Sequence, residues 1–321
     1  SGLSKLCGLP LWKELADSLL KYCASDSNCN FSYKQLNEIS NYIDDERALI
    51  SIGKNILRKT YKSDDVFNSF FYKKLHVDAR KNKQGTEIQK LLFGLSKIIF
   101  TTNADDILDK DLNKENVIVE KNKIGNYKSD FEHKVIHIHG SIKKPSDLVF
   151  TTADYLERYA SNIFREAIKS LFSFDSKYTI LFIGYGFREM QLLDFLVNVE
   201  SRDSRRNKTF ALNGYYSNQD DIFEVESEYY REYGVTLVSY SKDDKNYYGL
   251  VDALEYIQNE AKKKSLSQYN FINKLNKYIE DGPNKDSIRK IRNEIKFLAE
   301  QDKVFFLEKI SKSGKSKEWA E

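Results

Sequence analysis

Short apolar runs that end abruptly in polar residues or glycine recur through the middle of this chain and constrain its fold strongly. Ile98–Phe100 is followed by Thr-Thr-Asn-Ala-Asp, Val135–Ile136 by His-Ile-His-Gly, and Tyr178–Ile183 by Gly-Tyr-Gly. Helical patterns separate the later runs, and short buried strands that alternate with helices are typical of βαβ units. We therefore predict an α/β fold in which a parallel sheet carries helices on both faces.

The remaining pattern assigns further elements along the chain. Residues 33–94 keep a helical spacing of apolar positions with no strand signal, which predicts a helical layer over about residues 30–94. Strands are predicted at residues 97–100, 116–120, 134–138, 178–183, 209–212 and 235–238. Helices are predicted at residues 11–24, 152–172, 189–199 and 222–233, the second of them with Thr152 as its N-cap.

Charge divides the chain into a body, residues 1–260, and a helical extension, residues 261–321. The extension holds 15 Lys/Arg and 9 Asp/Glu, whereas the whole chain has a net charge of only +3, so the body is slightly acidic. A solvated helical face accounts for the basic extension better than nucleic-acid binding does, and direct contact with nucleic acid is not predicted. The extension is a candidate contact surface, or a linker to a further module.

The cysteines and the hydropathy favour a cytoplasmic protein. Cys7, Cys23 and Cys29 form no Cys-x-x-Cys pair, which disfavours a disulfide framework or a zinc ribbon and favours a reducing compartment. No apolar run approaches the roughly 20 residues that span a bilayer, so no membrane association is predicted. The chain does not begin with Met and opens in what resembles the middle of a motif, so we expect that upstream sequence is missing.

The two polar strand ends at Thr101–Asp105 and His137–Gly140 form the first candidate site. Ligands of open α/β sheets bind outside the carboxyl ends of the strands, so an Asn and a His delivered by neighbouring strand ends indicate an active site. Asn103 has two interpretations. It is either a hydrogen-bond partner of a ribose or a water, or polar surface beside a helix capped by Thr101 or Thr102.

A second observation concerns His137 and His139, which are predicted to share one strand face and would suit a metal ion by their spacing. No third ligand is evident, because His133 is too far along the strand and His76 lies in a helical stretch. A metal site is therefore not predicted. Gly140 follows His139, and a glycine at a strand end lets a ligand come close, which favours a functional histidine over a buried core residue.

Two segments with glycine add weaker signals. Gly2 and Ser4 precede a predicted helix, where small residues let phosphate approach backbone N–H groups, although an ordinary turn also fits. Gly184 begins a strand–turn–helix segment that is equally compatible with a tight βα turn. The sequence has no Walker-type motif, no Gly-x-Ser-x-Gly elbow and no complete Gly-x-Gly-x-x-Gly motif.

Taken together and in order, these segments resemble the bacterial sirtuin-like domain over roughly residues 1–260. The matching pieces are Gly2–Ser4, Gly8–Trp12, Thr101–Asp105, His139-Gly140, Thr151–Tyr155 and Gly184–Glu189. The resemblance implies a Rossmann-like fold whose first strand and first glycine precede residue 1. Glu189 stands where the family usually has Asp, and Ala104 where Tyr is common.

The main departure from that family is the zinc module. Protein-deacylating sirtuins carry four cysteines in paired Cys-x-x-Cys form, and this chain has no such pair. The helical layer at about residues 30–94 stands in its place. In this respect the chain resembles the sirtuin-like effectors of bacterial anti-phage systems, which destroy NAD in abortive infection.

The resemblance implies an NAD⁺ hydrolase that releases nicotinamide and ADP-ribose, with NAD as substrate and no metal. It assigns Asn103 and His139 to catalysis. The residues that it assigns to dinucleotide binding are Gly2, Ser4, Thr102, Asp105, Gly140, Gly184 and Glu189. Two alternatives stay open: transfer of ADP-ribose to an acyl-lysine or another protein nucleophile, and a nucleotide-sensing module without turnover.

Regulation is also implied, because a constitutive NAD hydrolase would kill its host. Such effectors commonly self-associate or pair with an ATPase, an Argonaute, a nucleotide-hydrolysing protein or a sensor domain. We therefore expect a homo-oligomer, a partner protein of the same defence system, or both, and the sequence does not choose among these.

Overall fold

The structure, a computed structural model, describes residues 2–77, 83–120, 122–124, 133–172, 178–187, 190–197, 208–263 and 289. The chain divides into two compact units, Ser1–Glu255 and Tyr256–Glu321. Most of the predicted basic extension lies outside the described residues. Among the described residues, no helix combines the length and the apolar character that crossing a membrane requires.

The first third of the chain is helical; the helices predicted at residues 11–24 and in the layer at about residues 30–94 are present, and the short helix Gly2–Leu6 was not predicted. Its helices are α1 (Gly2–Leu6), α2 (Trp12–Ser25), α3 (Tyr33–Tyr42), α4 (Glu46–Tyr61), α5 (Asp65–Leu75) and α6 (Lys83–Leu95). Local capping explains two of the helix starts. The Ser32 side chain accepts from the Gln35 backbone N–H at the start of α3, and Asp45 accepts from the Arg47 and Ala48 backbone N–H groups at the start of α4.

These helices enclose a core of their own, which also supports the strand ends. Leu19, Leu49 and Phe71 are fully buried in it. The Phe71 ring stacks on Phe150 with ring centroids 4.2 Å apart, and Ala104 belongs to the same core. Because Ala104 follows the first strand and Phe150 follows the third, the helical layer holds both strand-end segments against one apolar support.

Two parallel sheets follow. The first has strands β1 (Ile98–Thr101), β2 (Val117–Ile118) and β3 (Lys134–His137) in the order β1-β3-β2, and the second has β4 (Ile180–Ile183), β5 (Thr209–Tyr215) and β6 (Thr236–Ser241) in the order β4-β5-β6. Every residue of the central strand β3 is buried. One core contains Ile136 of the first sheet and Ala211 of the second, and the helices α7 and α8 also contribute to it.

Helices flank these strands, so the predicted α/β architecture with parallel sheets and helices on both sides is confirmed. The later helices are α7 (Thr152–Ala160), α8 (Asn162–Leu171), α9 (Met190–Val197) and α10 (Asp220–Glu232). The predicted single sheet is resolved as two three-stranded sheets among the described residues.

Several predicted boundaries differ from the structure for local reasons. The N-cap of α7 is Thr151 rather than Thr152, because Thr151 Oγ1 accepts from the Asp154 N–H while Asp154 accepts from the Thr151 N–H. The single helix predicted at residues 152–172 is two helices, since Ser161 adopts an extended conformation between them. No helix capped by Thr101 or Thr102 follows β1; a 3₁₀ turn, Ile107–Asp109, occupies that place.

Candidate functional site

The two polar strand ends lie side by side. Thr101 is in register with His137 at the ends of the paired parallel strands β1 and β3. Beyond them the Ile138 backbone N–H donates to the Thr101 carbonyl (2.9 Å), and the Ile142 N–H donates to the Ala104 carbonyl (3.0 Å). The segments that carry Asn103 and His139 are therefore joined by backbone hydrogen bonds at the carboxyl edge of the first sheet, where α/β folds bind ligands.

Asn103 is oriented by a chain of hydrogen bonds that reaches back to α1. Its Nδ2 donates to Ser4 Oγ (2.9 Å), which donates to Asp105 Oδ2 (2.7 Å), while Asp105 Oδ1 accepts from the Ile107 N–H (3.2 Å). The Asn103 N–H also donates to Thr101 Oγ1 (3.1 Å). Because Nδ2 faces Ser4, the amide oxygen of the half-buried Asn103 is left as an acceptor for a hydroxyl group or a water.

Asp105 lies beneath this chain of hydrogen bonds and is itself buried. Burial raises the pKa of its carboxyl, and the hydrogen bonds from Ser4 and from the Ile107 backbone offset that rise only in part. The side chain thus acts on Asn103 through the Ser4 hydroxyl. The dinucleotide-binding roles expected for Ser4 and Asp105 stay predictions, and the contacts seen here are internal ones.

His137, the last residue of β3, links the two strand ends through its side chain. Its fully buried ring places Nδ1 3.1 Å from the Asn103 carbonyl oxygen and Nε2 2.7 Å from Asp109 Oδ1. Lys143 Nζ lies 3.2 Å from the other oxygen of Asp109. Burial acts to lower the pKa of His137, but the hydrogen bond and the charge of Asp109 together raise it. Burial acts to raise the pKa of Asp109, and His137 and Lys143 together lower it.

His139 belongs to a different cluster, made of aromatic side chains from α7. Its Nε2 lies 3.2 Å from the Tyr159 hydroxyl, and its ring meets the Tyr155 ring edge to face with centroids 5.5 Å apart. The Arg47 guanidinium stands 4.0 Å from the centroid of the Tyr155 ring. His137 and His139 therefore have separate partners. Within the described part of the chain, no group of three or more His, Cys, Asp or Glu side chains is placed to hold a metal ion.

The local backbone conformation requires a glycine at position 140, directly after His139. Gly140 has a φ of +76°, and a Cβ at this position would lie 2.0 Å from the Asp147 carbonyl oxygen. The tight return of the backbone also lets the Val149 N–H donate to the His139 carbonyl (2.9 Å). The backbone of residue 147 occupies the space that the missing side chain leaves, so this glycine has a structural cause whether or not a ligand contacts it.

The other predicted binding residues are spread over the fold. Gly2 and Ser4 lie within the short helix α1 rather than in an open loop, and Thr102 is half-buried beside Asn103. Gly184 adopts a φ of +60° in the turn after β4. Glu189 lies outside the described residues. The assignment of these five residues to dinucleotide binding stays a prediction.

A cleft of about 760 Å³ lies beyond the carboxyl ends of β5 and β6. It is lined by residues from α1 and α6 and by the segments after the two strands: Leu6, Gln84, Glu87, Ile88, Tyr216, Lys242–Asn246, Tyr248, Val251 and Asp252. None of the predicted site residues that the structure describes lines it. The helix α1 links the two places, because it gives Leu6 to the cleft and Ser4 to the Asn103 side chain.

Comparison with known protein families agrees with this arrangement. Residues 97–238 match the family model of the SIR2-like domain, from the residue before β1 into β6. The match includes Asn103 and His139 and excludes the helical layer. No curated protein matches the chain. The chain therefore carries a SIR2-like domain of α/β Rossmann-like fold, and the predicted resemblance to sirtuin-like domains is confirmed. SIR2-like domains use NAD, so this region has an NAD-related function of the sirtuin family.

Proposed function

We propose that this protein is an NAD⁺ hydrolase, which cleaves the nicotinamide–ribose bond and releases nicotinamide and ADP-ribose. The observation that carries the proposal is the pairing of Asn103 and His139 on strand ends that are hydrogen-bonded to each other inside a SIR2-like domain. The reaction consumes one water: the ribose C1′–nitrogen bond breaks, a bond from the water oxygen to C1′ forms, and one proton is released.

The reaction needs little general-acid catalysis, because nicotinamide leaves as a neutral molecule from a cationic donor. An oxocarbenium-like transition state needs a positioned water and a fixed sugar. The amide oxygen of Asn103 is oriented to accept from the water or from a ribose hydroxyl, since Nδ2 is held by Ser4. His139 accepts the proton or hydrogen-bonds the ribose, and Tyr159 fixes its ring.

We assign the rest of the dinucleotide to the residues that the family resemblance indicates. These are Gly2, Ser4, Thr102, Asp105, Gly140, Gly184 and Glu189. The cleft beyond β5 and β6 is a candidate for the part of NAD that lies away from the nicotinamide, because ligands of α/β folds bind at carboxyl ends of strands and α1 borders both places.

The test is direct. The full chain is incubated with NAD⁺, alone and together with the products of its neighbouring genes, and nicotinamide and ADP-ribose are quantified by chromatography. We expect Asn103→Ala and His139→Ala each to abolish NAD loss while the fold is kept. The matched control is Asn37→Ala, because Asn37 is exposed on α3 away from the strand ends. Unchanged turnover in either site variant would refute the assignment.

The same assay separates the alternatives. Nicotinamide release that depends on an acylated peptide, or ADP-ribose found on protein by mass spectrometry, would indicate a transferase or a deacylase. Binding of NAD without turnover under every condition would indicate a sensing module. Free ADP-ribose in equal amount to nicotinamide supports the hydrolase.

We further propose that NAD depletion is the biological output, as in abortive infection by anti-phage effectors. Its activity would depend on self-association or on a partner protein, so that NAD is consumed only on infection. Phage challenge of cells that carry the system is expected to lower cellular NAD with the native chain and not with Asn103→Ala. Equal NAD loss with both chains would contradict this role.

A further inference from the structure

Both ring nitrogens of His137 face oxygen acceptors, although the ring is fully buried on the central strand of the first sheet. Nδ1 is 3.1 Å from the Asn103 carbonyl oxygen, and Nε2 is 2.7 Å from Asp109 Oδ1. A backbone carbonyl only accepts, so Nδ1 must carry a proton. Whether the His137–Asp109 pair is charged or neutral then depends on which partner holds the proton between Nε2 and Asp109.

Two arrangements satisfy the second hydrogen bond. Either Nε2 also carries a proton and Asp109 is a carboxylate, or Asp109 is protonated and donates to a neutral ring. Lys143 Nζ lies 3.2 Å from Asp109 Oδ2, and a cation at that distance favours the carboxylate. The first arrangement therefore prevails, and the imidazolium donates from both nitrogens.

We propose that His137 is a positioning residue, held as an imidazolium whose Nδ1–H fixes the backbone carbonyl of Asn103. The proposal rests on the proposed function in one respect, that Asn103 acts on NAD. Asn103 is then held at three points: its backbone N–H by Thr101 Oγ1, its backbone carbonyl by His137 and its side-chain amide by Ser4. Together these contacts restrict both the backbone and the side-chain rotation of the residue that would place the water.

The charged groups around His137 come from three segments. Asp109 belongs to the 3₁₀ turn, Lys143 to the segment after β3, and Asp105 to the segment after β1. Asp106 adds a negative charge 3.8 Å from Lys143 and also bonds His76 (2.8 Å). The negative charge of Asp109 and the field of Asp105 stabilise the imidazolium, in agreement with the raised pKa of His137.

The charge state is measurable without any substrate. NMR of the full chain with ¹⁵N-labelled histidine, in which His137→Asn assigns the resonance, reports protonation at each ring nitrogen. We expect two protonated nitrogens at a pH about one unit above the ordinary histidine pKa of about 6.5. A ring with a single protonated nitrogen at that pH overturns the proposal.

Two substitutions of equal charge separate positioning from mere folding. In His137→Asn the amide nitrogen takes the place of Nδ1 and keeps a donor toward Asn103. In His137→Gln it takes the place of Nε2 and keeps a donor toward Asp109. We expect kcat for NAD⁺ to fall about tenfold more in the Gln variant than in the Asn variant, with little change in KM. An equal loss, or the reverse order, contradicts the positioning role.

A measurement on the native chain covers the case in which a buried substitution prevents folding. The Asn103 side-chain amide resonance is followed with pH together with the His137 ring. We expect the two to change at the same pH, because a neutral ring beside the Asp109 carboxylate keeps its one proton on Nε2, and Nδ1 then no longer donates to the Asn103 carbonyl; independent behaviour overturns the proposal. If the native chain releases no nicotinamide, the proposed hydrolase fails, and this joint titration still decides what His137 does.

Discussion

The contacts of Ser4 are the hardest of the site to predict from the sequence. The family resemblance assigns Ser4 with Asp105 to a nucleotide site, yet the two side chains hydrogen-bond each other across 101 residues of chain. Neither helical periodicity nor a strand pattern encodes such a contact, because both concern neighbours in sequence. The same holds for Asp109 and His137, 28 residues apart, whose pairing sequence reasoning missed. The sequence gives only a weak indication that Tyr159 belongs to the site: it lies one helical turn from Tyr155 on α7.

Removal of the Ser4 hydroxyl tests its link to Asn103. In Ser4→Ala the Asn103 amide loses its acceptor and Asp105 loses a side-chain donor, so we expect about 1–3 kcal/mol of lost unfolding free energy and a clear fall in kcat. Urea unfolding and nicotinamide release measure the two effects. Ser27→Ala is the control, because Ser27 is exposed in the turn after α2. Native kcat in Ser4→Ala would show that Asn103 needs no such anchor.

Two glycines with nearly the same backbone conformation allow strain and collision to be separated. Gly8 has a φ of +78° with no atom within 4 Å of an added Cβ, whereas Gly140 has a φ of +76° with the Asp147 carbonyl oxygen 2.0 Å away. We expect Gly8→Ala to cost about 1 kcal/mol of unfolding free energy and Gly140→Ala about 3 kcal/mol or more. Thermal or urea unfolding measures both. Similar losses would mean that the segment at residues 140–147 moves aside easily.

At the scale of elements, the sequence predicted which strands and helices exist better than where they end. Apolar runs located all six strands of the described residues, because a buried parallel strand is apolar on both faces. The break between α7 and α8 was missed, since Ser161 is neither Gly nor Pro and no local sequence signal marks its extended conformation. The division into two sheets was also missed, because pairing between strands far apart in sequence leaves no local pattern.

The capping box of α7 connects helix stability to His139. Thr151→Ala removes the acceptor for the Asp154 N–H, and we expect it to cost about 1 kcal/mol of unfolding free energy and to lower kcat, because α7 carries Tyr155 and Tyr159. The matched control is Ser32→Ala, which removes the equivalent cap of α3. We expect a comparable loss of stability there with native kcat, measured by urea unfolding and nicotinamide release. A fall in kcat in both variants would reflect stability alone.

At the scale of the whole molecule, two cores meet at the strand ends. The helical layer supports Ala104 and Phe150 from one side, while the core shared by the two sheets holds Ile136 and Ile138 from the other. The sequence predicted both layers, but the charged cluster at their junction follows from tertiary packing. Burial of Asp109 and His137 is tolerated there because each has an opposite charge within hydrogen-bond distance.

That buried pair makes the stability of the whole chain depend on pH in both directions. The pKa of Asp109 is lowered on folding, so its contribution is present above the unfolded value of about 4 and is lost as the pH falls through the folded pKa. The pKa of His137 is raised, so its contribution is present below about 6.5 and is lost as the pH rises through its folded pKa. Asp105 has a raised pKa, and its contribution likewise falls as the pH rises above about 4.

We therefore expect Asp109→Asn to cost about 3–5 kcal/mol of unfolding free energy near neutral pH, since it leaves the imidazolium buried without its counter-charge, and to flatten the acid side of the stability curve. The matched control is Asp64→Asn, whose carboxylate also has a lowered pKa but pairs with the exposed Arg58. Its smaller loss is expected to shrink further in added salt, whereas the loss in Asp109→Asn persists, because salt screens exposed charges and scarcely reaches buried ones. Urea unfolding across pH and salt measures both. Equal salt sensitivity in the two variants would show that solvent reaches the Asp109–His137 pair, and the charge assigned to His137 would then lose its structural basis.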